Sequence, residues 1–433
     1  MRALLASFAL MLAAPALAQL TPAERTMQAT VAAEQDRTLS LLERMVNQNS
    51  GSQNPDGVEK VAAMVRAELE PLGFAVRWIP LRQTGRAGHL VASHTGKRGT
   101  KRLLLISHLD TVFEPASPFQ RWVRDGDEVR GPGATDNKGG IAVIVAALRA
   151  MKAAGTLQQT NVTVFLTGDE EDPGMPLAMA RGDLIAAGKA SDVALDFEPM
   201  ARDGERDMGG ISRRSITDWQ LVVKARGGHS SAVGTAGSGF GANYELARIV
   251  DAFRKDVTEP GLTLNVGMIA GGTSAKLEPG GIRAAVEGKT NIIASEAVAK
   301  GDLRVLDPAQ LERAQARMRA IVAARLGGVS EANLEFEPGY PPMAATDANR
   351  ALLARLNLVN RDLGLDSQEP LDPIRRGAGD ISFVAADVAA GLVGFGPGGG
   401  GTHSDDEWLD IPSITRQATR AAILMSRLGK ERR

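Results

Sequence analysis

Cysteine is missing from all 433 residues. That absence excludes disulfides and thiolate-held metal, so any metal this chain takes must be bound by His, Asp and Glu. Net charge is scarce as well, with 50 Lys and Arg against 51 Asp and Glu. Such a balance leaves no electrostatic footprint for nucleic acid or for an anionic membrane surface. Aromatic residues make up only 4% while glycines number 48, a composition that suits a compact α/β protein rather than a disordered one. No short-period repeat and no long low-complexity tract breaks the chain. Membrane-length apolar runs are lacking too: "ALLASFALMLAAPALA" (3–18) is short for a span. Preceded by Met1-Arg2 and closed by Ala16-Leu17-Ala18, it reads instead as a signal peptide over 1–18, with a periplasmic or secreted destination and no membrane contact after cleavage.

What remains is long enough for more than one domain. Apolar spacing predicts helices over 38–46, 56–72, 139–155, 240–256, 308–326 and 346–363. Short apolar runs predict strands at "FAVRWI", "RLLLISH" (102–108), "NVTVFLT" (161–167), "DVALDF" (192–197) and "AGLVGFGP". Strands alternating with helices imply a mostly parallel sheet with helices on both faces. Near residue 212 the pattern changes. "SITDWQLVVKARG" (215–227) alternates like a strand with one solvated face, and strand-like and helical stretches then segregate. The expected organisation is an α/β catalytic domain in two parts, 19–212 and 341–433, interrupted by a smaller α+β unit over 213–340.

Three consecutive acids, Asp169, Glu170 and Glu171, stop the strand-like run "VTVFLT". Acids that close repel unless something positive sits among them. Four segments in all place an acid or His just after an apolar strand. "LLLIS" leads to His108-Leu109-Asp110, "VFLTGD" to Glu170-Glu171, "VALDF" to Glu198-Pro199, and "GLVGFGPGGGGT" to His403-Ser404-Asp405. A fifth, "GPGATDNKGG", puts Asp136 in a Gly-rich loop before a helix. Ligands of open α/β sheets bind outside the carboxyl ends of the strands, so these segments should meet in one crevice. Two imidazoles and three or more carboxylates there suit Zn²⁺, and a carboxylate has two oxygens with which to bridge a pair of ions. One further carboxylate should stay off the metal to carry a proton.

Taken together, "SHLDTV", "GPGATDNKGG", "GDEE", "DFEP" and "THSDDEW" resemble the M20 family of zinc metallopeptidases, in the family's order and approximate spacing. The likeness runs over about residues 38–430 and implies the di-zinc exopeptidase fold. It implies that His108, Asp136 and Glu198 bind one zinc and that Asp136, Glu171 and His403 bind the second, two Zn²⁺ per subunit. Asp110 would orient the His108 ring, and Glu170 would be the general acid/base. A cis peptide is implied at Asp136–Asn137. The inserted unit resembles the family's lid, which also forms a homodimer; "RGGHSS" carries to His229 the role of reaching into the partner's site and binding the oxyanion. "NIIASEAVAKGDLR" carries substrate binding to Asn291 and Arg304. The chain departs from the family in having Ala294 for the usual Pro, extra sequence over 271–289, and no Arg within "EPGYPPM" (337–343), where glutamate-releasing members have one. Arg375 or Arg376 is then the candidate for the substrate carboxylate, with Arg376 preferred.

Singly, these residues have plainer readings. His108 suits a strand end, Asp136 a turn, Glu198 a surface before proline and His403 a flexible loop; the set, not any member, points to metal. His89 and His94 read as surface or strand-end residues and Lys138 as structural. The expected activity is hydrolysis of the amide next to a C-terminal amino acid in a small peptide or N-acyl amino acid. An N-acyl-amino-acid deacylase, or an aminopeptidase or dipeptidase, uses the same chemistry. A non-catalytic metal- or peptide-binding protein is the rival of another class, and it has no need of Glu170.

Overall fold

The computed structural model describes residues 20–433; the expected signal peptide lies outside them. Five strands come first: β1 (Ala75–Pro80), β2 (Gly88–His94), β3 (Arg102–His108), β4 (Asn161–Thr167) and β5 (Val193–Asp196). A second sheet follows, of β6 (Thr217–Ala225), β7 (Thr263–Leu264), β8 (Met268–Gly272), β9 (Glu296–Arg304) and β10 (Val329–Glu337). The chain then returns to the first sheet with β11 (Ala390–Val393). The order there is β1-β2-β4-β3-β5-β11, and only β2 runs against the others. This is the mixed α/β, mostly parallel sheet the sequence implied.

Both faces of the sheet are covered, but unequally. Helices α1 (Pro22–Ala33), α2 (Gln35–Val46), α3 (Pro55–Leu69), α4 (Lys138–Ala153), α8 (Asp347–Asp362) and α9 (Ile411–Leu428) share one core with Leu103, Leu105, Val164 and Leu166. The opposite face, with Leu104, Ile106 and Phe165, packs on α5 (Leu177–Lys189) and the turn Asp380–Phe383. Side chains alternate across a strand, so "LLLI" feeds both cores by turns. Helix α4 is apolar nearly all round and is buried all round, at the centre of the larger core. Entry into α3 is fixed by the Asn54 side chain, which accepts from the Gly57 N–H, with Pro55 as first residue.

The second sheet is antiparallel, in the order β7-β9-β6-β10, with β8 also on β9. Thr217, Trp219, Leu221 and Val223 of β6 are buried. Trp219, Leu221 and Val223 form a core with α6 (Ala242–Asp256) and α7 (Pro308–Ala323). Asp218, Gln220, Val222 and Lys224 face the other way, giving the single solvated face the sequence alternation suggested. The stretch 271–289 contains a hairpin of Ser274–Leu277 and Ala284–Glu287. Where the chain passes between the two sheets, its two crossings lie side by side, joined at an antiparallel bridge between Arg213 and Met343. Among the described residues no helix is long and apolar enough to cross a membrane.

Candidate active site

Parallel pairing sets the carboxyl ends of the central strands nearly level. His108 on β3 stands opposite Thr167 on β4, and Ile106 opposite Asp196 on β5. One or more residues past these ends come Glu170, Glu171 and Glu198. The loop after β11 brings His403 to the same place, and the loop before α4 brings Asp136.

Asp136 is the centre of the arrangement. Its Oδ1 lies 3.1 Å from His108 Nε2 and its Oδ2 lies 3.4 Å from His403 Nε2. His108 Nε2 is also 3.3 Å from Glu198 Oε1, and His403 Nε2 is 3.1 Å from Glu171 Oε2. Two groups of three thus share one carboxylate, each with its ligand atoms within 4.8 Å of one another: His108, Asp136 and Glu198, and Asp136, Glu171 and His403. Glu170 falls in a third such group with His108 and Glu171.

The residues present fit a pair of divalent cations. The donors are imidazole nitrogen and carboxylate oxygen, the set borderline dications take. Glu171 Oε1 is buried with no hydrogen-bond partner in the protein. Burial, together with the charge of Asp136, pushes Glu171 up to about 7 even against its hydrogen bond from His403. Hydrogen bonds to Asp136 and Glu171 push His403 up to about 11. Burial and then the charge of Glu198 hold Glu170 well above the usual carboxylate range. Acids so crowded gain from any cation set among them.

Supporting contacts fix these groups from behind. Asp110 is fully buried and accepts from Ser52 Oγ at 2.6 Å and from the N–H groups of Glu170 and Glu171 at 3.0 and 3.1 Å. His108 Nδ1 bonds to the Asp110 backbone carbonyl at 3.1 Å, and Asp110 Oδ1 lies 3.4 Å from the same nitrogen. The Asp136–Asn137 peptide is cis, as the resemblance implied. Gly140 in the first turn of α4 lets the helix approach β5 closely: a Cβ there would sit 2.1 Å from the Phe197 carbonyl oxygen, next to Glu198. His403 has φ of 63°, the left-handed region, and most of its ring is exposed.

The three consecutive acids separate. Glu171 turns to His403 and Glu170 lines the crevice. Asp169, for which the sequence suggested no partner, is fully buried against Arg181 of α5, with Oδ1 2.7 Å from Nη1. Arg181 also reaches Asp380 at 2.8 Å and the Tyr340 hydroxyl at 2.8 Å, and Tyr340 in turn donates to the Glu170 carbonyl at 2.8 Å.

The crevice holds about 300 Å³ and is lined by Glu170, Glu198, Arg213, Arg376, Thr402 and His403 among others. Arg376 donates to the Pro199 carbonyl at 2.7 Å, and burial and Arg213 push it down to about 10. Arg375 is exposed and pairs with Asp203 instead. Sequence reasoning missed Arg213. Its Nη1 and Nη2 both lie 3.2 Å from Glu198 Oε2, and Nη1 is 3.4 Å from Asp196. The available signal was its place beside Arg214 at the switch between the two sheets. His229, Asn291 and Arg304 do not line the crevice. His229 is exposed, bonded to Ser231, in a short pairing with Ile292 beside Asn291, and Arg304 pairs with Asp302 at 2.9 Å. His89 is buried rather than superficial, 2.7 Å from the Ala180 carbonyl, because β2 is an interior strand.

Comparison with known proteins identifies the family and the fold. The description "Peptidase family M20/M25/M40" matches residues 104–426. The chain is 27% identical over 410 residues to carboxypeptidase G2 of Pseudomonas sp. (strain RS-16), covering 92% of this chain and 90% of that one. It is 25% identical over 393 residues to a succinyl-diaminopimelate desuccinylase of Leptothrix cholodnii, covering 87% and 95%. Among solved structures, a tripeptidase of Staphylococcus aureus superposes with a TM-score of 0.71 at 19% identity, over 92% of this chain and 99% of that one. A dinuclear metal-binding peptidase of family M20 from Bacillus subtilis superposes at 0.61 with 15% identity, over 92% and 99%.

Proposed function

This chain belongs to peptidase family M20/M25/M40, and from that premise we propose that it is an exported di-zinc exopeptidase of carboxypeptidase type. Its substrates would be small peptides or N-acyl amino acids, cut at the amide next to a C-terminal amino acid. The observation that carries the metal reading is Asp136, whose two oxygens each face a different imidazole. His108, Asp136 and Glu198 would hold one ion, and Asp136, Glu171 and His403 the other. When bound, such a pair polarises the scissile carbonyl and eases deprotonation of the attacking water.

The rest falls to the chain's own side chains. Glu170 takes the proton from water and passes it to the leaving nitrogen; its burial beside Glu198 favours the protonated form it must visit. Arg376, with most of its donors free of protein acceptors, receives the substrate carboxylate. Arg213 stays on Glu198 and keeps that carboxylate turned toward His108. His229 and Asn291 stand outside the crevice of their own chain, which suits the reading that they serve the site of a second copy. We place the homodimer contact on the second sheet, where an apolar groove of about 650 Å³ runs between α6 and β8, lined by Leu246, Val250, Leu264, Val266 and Ile269. Sedimentation should give the dimer mass, and Ile269→Asp, at a side chain now 58% exposed, should give monomers.

A panel of substrates blocked at one end or the other tests the activity. Cleavage should require a free C-terminal carboxylate. Arg376→Ala should raise KM for those substrates by about 10- to 100-fold, the worth of a charge-assisted hydrogen bond, with kcat little changed. Cleavage that instead needs a free N-terminus would replace this reading with an aminopeptidase. Equal use of C-terminally blocked substrates would remove Arg376 from recognition.

A further inference from the structure

We propose that Glu407 is a positioning residue: it ties the loop of Asp136 to the loop of His403 and so sets the geometry of the group Asp136, Glu171 and His403. The inference rests on the metal reading given above.

Glu407 is fully buried, four residues after His403. Its Oε1 accepts from the N–H groups of Thr135 at 2.8 Å and Asp136 at 2.9 Å, and its Oε2 accepts from the Gly133 N–H at 3.1 Å. One carboxylate therefore satisfies three backbone donors of the loop that carries the shared Asp136. Buried donors of this kind need a partner, and an ionised acceptor supplies the strongest bonds. A second tie runs beside it, from Thr135 Oγ1 to the Trp408 carbonyl at 2.5 Å.

His403 needs such an anchor. Its ring is 56% exposed, so packing does not hold it. It lies at the tip of a hairpin closed by the pairs Gly399–Leu409 and Gly400–Trp408. Within that tip, Ser404 N–H bonds to the Gly401 carbonyl and Glu407 N–H to the Ser404 carbonyl. The base of the hairpin is also paired to the Asp136 loop's own strand, with Trp408 opposite Arg130 and Leu409 opposite Val129. Beyond that ladder, the Glu407 carboxylate and the Thr135 hydroxyl are the side-chain ties between the tip and Asp136. His108, Asp110 and Glu198 sit at strand ends and do not depend on this tie. The effect of loosening it should therefore be lopsided between the two ions.

Glu407→Gln is the informative variant. It keeps the shape and the Oε1 acceptor but turns an NH₂ toward the Gly133 N–H. Metal-free protein, parent and variant, is titrated with Zn²⁺ by calorimetry, and folding is followed by circular dichroism. The parent should take up two ions. In the variant the ion of Asp136, Glu171 and His403 should bind about 10- to 100-fold more weakly, the usual cost of losing a group that orients a ligand, while the ion of His108, Asp136 and Glu198, with only Asp136 on the tied loops, should weaken less. Thr135→Val cuts the neighbouring tie and should weaken the same ion, so the proposal stays testable if Glu407→Gln does not fold. Two ions bound by both variants as by the parent overturn the proposal, as does equal weakening of both ions. A parent that binds no Zn²⁺ refutes the metal reading itself, which is a different result.

Discussion

Glu170→Gln should lower kcat by about 10²- to 10⁴-fold while both metal ions stay bound, because general acid–base catalysis is worth about that much. The substitution preserves the side chain's outline and removes only its capacity to carry a proton. Nor should it disturb its neighbours, since the residue's backbone is held independently. Its N–H donates to Asp110 and its carbonyl accepts from Tyr340, so the glutamine stays where the glutamate was. Steady-state kinetics with metal analysis of the same sample is the check. Turnover within tenfold of the parent would mean that another group moves the proton. Loss of metal would make Glu170 a ligand, as its grouping with His108 and Glu171 allows geometrically.

The largest effect on stability is expected from Arg181→Met. Arg181 is buried between Asp169 and Asp380, both buried as well, and bridges them to Tyr340. Removing one member of a buried ion pair costs about 3–5 kcal/mol, chiefly because the remaining charge is left without a partner. Here two charges are left. Burial already raises Asp169 above the ordinary carboxylate range despite Arg181, so its ionised form has little to spare. Urea unfolding of metal-loaded protein measures the loss. Adding Asp169→Asn and Asp380→Asn should recover part of it, since the stranded charges are then gone. A single variant within 1 kcal/mol of the parent would show that the network is not fully desolvated.

The legible parts of the sequence were those whose signal is local. Strands β3 and β4 run over the predicted residues, because short apolar runs flanked by polar residues leave little choice of end. Helix α4 announced itself by its apolar run before Arg149. Strands β2 and β10 went unread. Residues 88–94, "GHLVASH", mix His and Ser into an interior strand, and β10 is flanked by charges on its solvated face. Helices α1, α5 and α9 were also missed. Alanine and glycine dilute the periodicity of α1 and α5, whereas α9 is clearly amphipathic, with apolar residues at helical spacing, and was overlooked. In the site the same division holds. His108, Asp136, Glu171, Glu198 and His403 each follow a strand or precede a helix, so topology predicted that their segments meet, while the grouping of the five around Asp136 came from the family resemblance. Arg213, Arg181, Tyr340 and Glu407 act through contacts between residues far apart in sequence, which no spacing reveals.

The return of the chain to the first sheet has a consequence for biosynthesis. His403 follows Glu198 by 205 residues (403 minus 198), and the whole second sheet is made between them. At about 5–20 residues per second, the ribosome reaches the second imidazole roughly 10–40 s after the last of the four acids. A chain stopped in that interval has, on the proposed reading, its proton carrier but only one of two histidines, and it lacks the strand β11 that pairs with β5. On the proposed metal reading, a polypeptide released before His403 would lack one of the two imidazoles and should be inert wherever it folds.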